Sequence, residues 1–236
     1  MRRNNEPYIT LITGTSRGIG KSLADHYLNN NHIVIGCSRN PIEWQHKNYI
    51  HHIADVSDEK AVLSIFKHIK KEFGRLDNLI NNAGIASLNH SLLTPMTSVR
   101  NVLATNVEGP FLFSREAAKI MQKHKYGRIV NFSTVAVPLR LEGEAIYAAS
   151  KAAINTITDI LAKEFAPFNI TVNAVGPSPI KTDLIKNVPQ DKIDKLLQSQ
   201  TLKKYGTIED IINVIDFFLK EESHNISSQK IYLGGM

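Results

Sequence analysis

The sequence predicts an α/β protein, a doubly wound parallel sheet of seven strands in a single domain. Two patterns predict it. Short β-branched runs alternate with longer helical stretches along the chain, and runs such as Ile33-Val34-Ile35 and Ile129-Val130 are apolar at successive rather than alternate positions. A strand apolar on both faces must be covered on both faces, as in a parallel sheet layered between helices. The alternation itself supplies the right-handed crossovers such a sheet needs. A third observation is a glycine-rich turn joining the first strand to the first helix, the signature of a dinucleotide-binding sheet.

The elements follow in order. Strands are expected at Tyr8–Thr13, His32–Cys37, Tyr49–Ala54, Asn78–Asn82, Gly127–Ser133, Thr171–Val175 and Lys230–Leu233. Helices are expected between them at Ile19–Asn30, Asp58–Phe73, Ser98–His124, Ile146–Phe165 and Ile208–Leu219. No repeat, low-complexity tract or linker divides residues 1–236, a length that suits one α/β domain. Residues 177–207 are the least regular, with Pro177, Pro179, Pro189 and many lysines. They are expected to form an irregular or helical excursion serving as a substrate lid.

Composition excludes several classes. With 42% hydrophobic and 21% charged residues the chain has an ordinary globular make-up. The lone Cys37 rules out an internal disulfide framework and fits a reducing cytosol. The start, Met1 to Pro7, is polar and unlike a signal peptide, and no window approaches the ~18 apolar residues of a membrane span. A cytoplasmic location is therefore expected. The net charge of +6 comes from 28 Lys and Arg scattered among 22 acids, without a basic run. Neither nucleic acid nor a metal is expected as a partner. The mildly basic stretches Lys119 to Arg128 and Lys181 to Lys204 are expected to be solvated helix faces and a loop.

The turn Thr13-Gly14-Thr15-Ser16-Arg17-Gly18-Ile19-Gly20 carries the first chemistry. Glycines let the backbone turn sharply and approach phosphate, and the helix that follows offers free N–H groups and a positive dipole end. Its Gly-x3-Gly-x-Gly spacing differs from the general Gly-x-Gly-x2-Gly fingerprint. Gly14, Ser16, Arg17, Gly18, Ile19 and Gly20 are the expected pyrophosphate cradle. At the end of the second strand, where an acid would hold the adenosine ribose hydroxyls, the chain has Cys37-Ser38-Arg39. Arg39 and Arg17 suit a 2′-phosphate, since fork-shaped guanidiniums bind phosphate oxygens in pairs. NADP(H) is expected rather than NAD(H).

The second chemistry is Tyr147-Ala148-Ala149-Ser150-Lys151. Reduction of a carbonyl needs a hydride for carbon, a proton for oxygen and donors for the developing alkoxide. Tyr147 is the candidate proton donor. Lys151, one turn along the same helix face, is expected to lower the pKa of a phenol that otherwise titrates near ~10.

Six ordered motifs now carry a resemblance. Besides Thr13–Gly20 and Tyr147-x3-Lys151 there are Asn81-Asn82-Ala83-Gly84, Asp55 after the third strand, Thr105-Asn106-Val107 and Gly176-Pro177. The chain resembles a short-chain dehydrogenase/reductase from about Tyr8 to its end. It is most similar to 3-oxoacyl-acyl-carrier-protein reductases, through Gly127-Arg128-Ile129-Val130 and the terminal Gly234-Gly235-Met236 as well. The resemblance implies that Asp55 and Val56 lie near the adenine and that Asn82, Ala83 and Gly84 line the ribose and nicotinamide side. It places Gly176, Pro177 and Thr182 near the nicotinamide and gives Lys151 a second role on the nicotinamide ribose. Asn82 has a structural alternative, bracing the central strands. Asn106 would hold a water relaying protons to Lys151, or else is a core amide. The family's substrate-holding serine falls on Thr134, with Ser133 one residue before. Strand alternation keeps adjacent side chains apart, so one of the two hydroxyls serves. Thr134 is the expected choice and Ser133 stays open. The family's glycine after this motif is replaced by Val137-Pro138.

The resemblance also implies a homotetramer or homodimer, packed through Ser98–His124, Ile146–Phe165 and the last strand. It suggests a 3-oxoacyl thioester substrate on an acyl-carrier protein, which Lys123, Lys125 and Arg128 would meet. The expected function is therefore NADP(H)-dependent interconversion of a carbonyl and an alcohol. The alternative is a catalytically silent NADP(H)-binding redox sensor, against which the retained Tyr147 and Lys151 argue, since a sensor needs no proton donor.

Overall fold

Seven parallel strands line up in the order β3-β2-β1-β4-β5-β6-β7 in the computed structural model, which describes residues 6–181 and 188–235. The strands are β1 (Ile9–Thr13), β2 (Ile33–Ser38), β3 (Tyr49–Ile53), β4 (Asn78–Asn81), β5 (Gly127–Phe132), β6 (Ile170–Gly176) and β7 (Lys230–Tyr232). Between them run α1 (Gly18–Asn29), α2 (Glu59–Glu72), α3 (Met96–Leu103), α4 (Gly109–His124), α5 (Ala136–Leu139), α6 (Ala145–Phe165), α7 (Gln190–Ser199) and α8 (Ile208–Leu219). The chain leaves β1 toward β2 and β3, then returns to pair β4 on the other side of β1. That reversal opens a crevice above the carboxyl ends of β1 and β4, where doubly wound sheets bind ligands.

Successive strand residues feed two cores. Leu11, Ile35, Leu79 and Ile129 pack with Val62, Phe66, Phe113 and Leu161 of α2, α4 and α6 on one face. Ile12, Val34, Ile80 and Val130 pack with Leu23, Tyr27, Ile211 and Phe218 of α1 and α8 on the other. This double covering is why the strands are apolar at adjacent positions. Caps define helix starts: Asp58 accepts from the N–H groups of Lys60 and Ala61 ahead of α2, and Thr207 with Asp210 forms a reciprocal box at α8.

Two expectations need correction. The helical run expected as Ser98–His124 is broken by a wide π turn at Ala104–Glu108. Pro110 has no N–H to return to the Asn106 carbonyl, so regular i to i−4 bonding cannot continue there. Secondly, Arg128 is not on a solvated face. It is 1% exposed, donates to the carbonyls of Gly127, Lys220 and Glu221, and stacks on the Tyr126 ring. It fastens the start of β5 to the turn after α8. Val137-Pro138, which replaces the family's glycine, lies inside the short helix α5, whose first turn tolerates a proline. The excursion at residues 177–207 is partly helical, as α7; Thr182 lies outside the described residues. Among the described residues no helix is long and apolar enough to cross a membrane.

Candidate active site

The glycine turn crosses the mouth of the crevice. Gly14 and Thr15 donate backbone N–H to the Cys37 carbonyl at 2.8 and 3.2 Å, tying the loop to the end of β2. Asn82 braces it from the other side, its Nδ2 donating to the carbonyls of Thr13 (2.8 Å) and Gly14 (3.3 Å). Ala83 adds an N–H bond to Thr13 Oγ1 at 2.9 Å. Asn82 thus has the bracing role that was its structural alternative. Gly20 is compulsory: a Cβ there would sit 2.1 Å from the Gly14 carbonyl oxygen. The loop can therefore fold back on α1 only with glycine at that position.

The residues present fit a dinucleotide phosphate. Ser16, Arg17 and Gly18 are exposed on the crest of the turn, and a Cβ on Gly18 would meet nothing within 4 Å. The N-terminus of α1, at Arg17, receives no side-chain cap, so its first N–H groups face the open side of the turn. Ile19 packs against the α1–α8 core instead of facing the crest. At the end of β2, Arg39 is exposed, while Ser38 is buried with its hydroxyl donating to the Asn40 carbonyl at 2.7 Å. Asp55 is partly buried. Burial works to raise its pKa, but hydrogen bonds from the Ser57 hydroxyl and N–H, and the Arg39 charge, hold it below the usual range. Val56, buried beside it, packs against Gly109 at the start of α4.

The second cluster joins β5 to α6. The chain leaves β5 after Phe132, and Ser133 and Thr134, both buried, follow it into the turn before α5. The Thr134 hydroxyl lies near enough to the Tyr147 phenol to favour its ionisation, and its Oγ1 accepts from the Ala136 N–H at 3.3 Å, whereas the buried Ser133 Oγ has no protein partner. Lys151, one turn beyond Tyr147, is 4% exposed and donates from Nζ to the Phe132 carbonyl at 2.8 Å. Burial pulls its ammonium down to about 8. Burial also pushes Tyr147 up to about 12, with the nearby Thr134 hydroxyl acting against this and the Glu144 charge adding to it. Desolvation is the largest influence on the phenol, while the Lys151 Nζ donates to the Phe132 carbonyl. Glu144 itself is partly buried, and burial raises its carboxyl although Lys192 of α7 lies near enough to oppose it.

Asn106 lies in the π turn, fully buried, and anchors this cluster to β4. Its Oδ1 accepts from the Ile85 N–H and its Nδ2 donates to the Ile85 carbonyl and Ser150 Oγ. Gly84 sits between: a Cβ on it would lie 3.3 Å from Asn106 Oδ1 and 3.4 Å from Lys151 Nζ. Gly176 and Pro177, at the end of β6, close the far wall, where the Pro177 carbonyl accepts from Val135. So Gly84, Asn106, Thr134, Tyr147 and Lys151 come together at the carboxyl ends of β4 and β5. By contrast, Lys123, Lys125 and Arg128 stand at the opposite end, where α4 finishes and β5 begins.

A ladder that runs from Asn81 to residues outside the motifs, Ser114, Asn131 and Thr158, holds the frame. Asn81 Nδ2 donates to Asn131 Oδ1 (2.8 Å) and Ser114 Oγ (3.0 Å), and Asn131 Nδ2 donates to Thr158 Oγ1 (2.9 Å). Its signal in the sequence was asparagine inside strands otherwise apolar, since buried amides survive only when paired.

Parallel sheet, glycine turn at the switch point and a Tyr–Lys pair on α6 together define a dinucleotide-binding oxidoreductase. The profile of the short chain dehydrogenases matches residues 8–193, and the chain belongs to the short-chain dehydrogenase/reductase family. It is 34% identical to the 3-oxoacyl-[acyl-carrier-protein] reductase of Buchnera aphidicola subsp. Schizaphis graminum, with 98% of this chain and 97% of that protein aligned. Among solved structures it is similar to ElxO with NADP bound, at 32% identity and a TM-score of 0.88 with 97% of each chain covered. It is also similar to 4-hydroxyisoleucine dehydrogenase complexed with NADH, at 28% identity, a TM-score of 0.85 and 97% of each chain.

Proposed function

We propose that this protein is an NADP(H)-dependent reductase converting a carbonyl to an alcohol, with Tyr147 as the proton donor. The observation that carries the reading is the placement of Tyr147 and Thr134 beside buried Lys151 at the carboxyl end of β5, next to the glycine-turn crevice. A phenol held at about 12 keeps its proton at neutral pH, as a donor to a carbonyl oxygen must. Thr134 holds the substrate oxygen from a second side and stabilises the charge developing on it. Lys151 neutralises the phenolate left after proton transfer and also binds the nicotinamide ribose. Asn106, Gly84 and the Asn82 brace set the nicotinamide side of the crevice. NADPH, when bound, supplies the hydride.

Arg17 and Arg39, with no carboxylate at Ser38, support NADP(H), and the likeness to ElxO with NADP bound points the same way. The relatives named as 3-oxoacyl-acyl-carrier-protein reductases make a 3-oxoacyl thioester the first substrate to try. Assembly into dimers or tetramers is part of the proposal, supported by exposed Leu103, Phe111 and Ile160 on α3, α4 and α6. A cytoplasmic setting accords with the single buried thiol. The test is NADPH oxidation, followed by absorbance, with a panel of ketones and acetoacetyl thioesters. Turnover of at least one carbonyl is expected. Tight NADPH binding with no turnover would favour a silent redox sensor.

A further inference from the structure

A file of hydrogen bonds runs behind the adenosine end of the crevice, from Thr15 of the glycine turn through Tyr49 and His51, which belong to no motif that identified the family. Thr15 Oγ1 lies 2.7 Å from the Tyr49 hydroxyl, and that hydroxyl lies 2.9 Å from His51 Nδ1. On the other side of the ring, His51 Nε2 is 3.1 Å from Ser38 Oγ and 3.3 Å from the Asn40 carbonyl, to which Ser38 also donates at 2.7 Å. The route is built into β2. A Cβ on Gly36 would fall 2.0 Å from the Tyr49 hydroxyl and 2.4 Å from Thr15 Oγ1, so a side chain at that position would block it.

Proton counting gives the file a direction. Ser38 has one hydroxyl proton, and the Asn40 carbonyl takes it, so Ser38 accepts from His51 and the ring carries its proton on Nε2. In the neutral ring Nδ1 is then an acceptor, which makes Tyr49 its donor. Tyr49, its proton spent, accepts from Thr15. Every donor points from the glycine turn toward the Ser38–Asn40 turn. Burial holds the His51 pKa below its ordinary value, with the Asn40 bond only partly opposing this, and so favours the neutral ring the file requires.

Its two ends are the two arms that bear Arg17 and Arg39. We propose that Tyr49 and His51 are positioning residues that hold these arms at the spacing a 2′-phosphate needs, and thereby set the preference for NADPH over NADH. The proposal rests on the reading of Arg17 and Arg39 given above. An arginine on a turn already fixed in place loses less freedom on binding than one on a loose turn.

The experiment measures dissociation constants of NADPH and NADH for the full-length protein, by calorimetry, in wild type and four variants. Tyr49→Phe and His51→Phe should each weaken NADPH about 3- to 10-fold, the scale of one net hydrogen bond, and NADH less than about 2-fold. The double variant should be no worse than the poorer single one, because either substitution breaks the same file. His51→Gln, whose amide reaches toward Ser38, should recover most of the NADPH affinity. Nitrogen-15 spectra of the wild type should show the Nε2–H tautomer of His51 at neutral pH. Equal weakening of both dinucleotides, additive losses, or an Nδ1–H tautomer would overturn the proposal. A wild type that binds NADH as tightly as NADPH would instead overturn the arginine reading on which the proposal stands.

Discussion

Replacing Lys151 by Met should stabilise the protein at neutral pH while destroying its activity. The side chain is buried, and its ammonium titrates at about 8 against 10.5 for a free lysine. At about 1.4 kcal/mol per tenfold change, burying the charged form costs roughly 3 kcal/mol at pH 7. Methionine has similar length and no charge, so it removes that cost without opening a cavity. It also leaves the Phe132 carbonyl without its donor, a loss of about 1–3 kcal/mol. A net gain of about 1 kcal/mol at pH 7 is expected. The sign follows from linkage: between pH 8 and 10.5 the unfolded lysine holds more protons than the folded one, so wild-type stability rises with pH across that window. By pH 10 roughly 2–3 kcal/mol of the cost has gone, while the neutral amine still donates to Phe132, so the variant should have become the less stable protein. Urea unfolding of both proteins at pH 7 and pH 10 reads the crossover directly, and subtracting the two curves cancels every other titrating group. A stability difference that does not change with pH would refute the idea that Lys151 is held charged against its burial.

Other expected outcomes are as direct. Thr134→Val should lower kcat about 10- to 1000-fold, the cost of one lost donor to the developing alkoxide. Ser133→Ala should be mild or stabilising, because its hydroxyl is buried without a protein partner; steady-state kinetics and melting curves separate the two. Arg39→Ala should weaken NADPH about one to two orders of magnitude by titration calorimetry and leave NADH nearly unchanged. Glu144→Gln removes a negative charge that raises Tyr147, so the phenol should ionise more easily. The rising limb of an alcohol-oxidation pH–rate profile, where Tyr147 must be ionised to accept the proton, should therefore move to lower pH.

Much of this molecule was legible before its coordinates. The strands were readable because each must be apolar on both faces, and the observed Ile33–Ser38 and Gly127–Phe132 lie within a residue of the expected spans. The glycine turn was readable because Gly14 and Gly20 answer to backbone geometry alone. What stayed hidden depends on neighbours distant in sequence. Arg128 looks like any basic residue until Lys220 and Glu221 of a later turn offer their carbonyls. The spacing of Tyr147 and Lys151 said nothing of how dry their surroundings are, and desolvation decides the direction of both pKa shifts. Likewise, the Thr15–Tyr49–His51–Ser38 file spans three segments and matches no spacing rule.

Tyr147→Phe bears most directly on the central claim, with NADPH affinity and carbonyl turnover measured side by side on the same preparation. The phenyl ring keeps its packing and loses only the hydroxyl beside Thr134. NADPH should bind within a few-fold of the wild type while turnover of every active carbonyl falls by at least about 100-fold, the lower end of what a positioned acid contributes. Turnover within about tenfold of the wild type would show that the proton comes from elsewhere and that Tyr147 is not the acid.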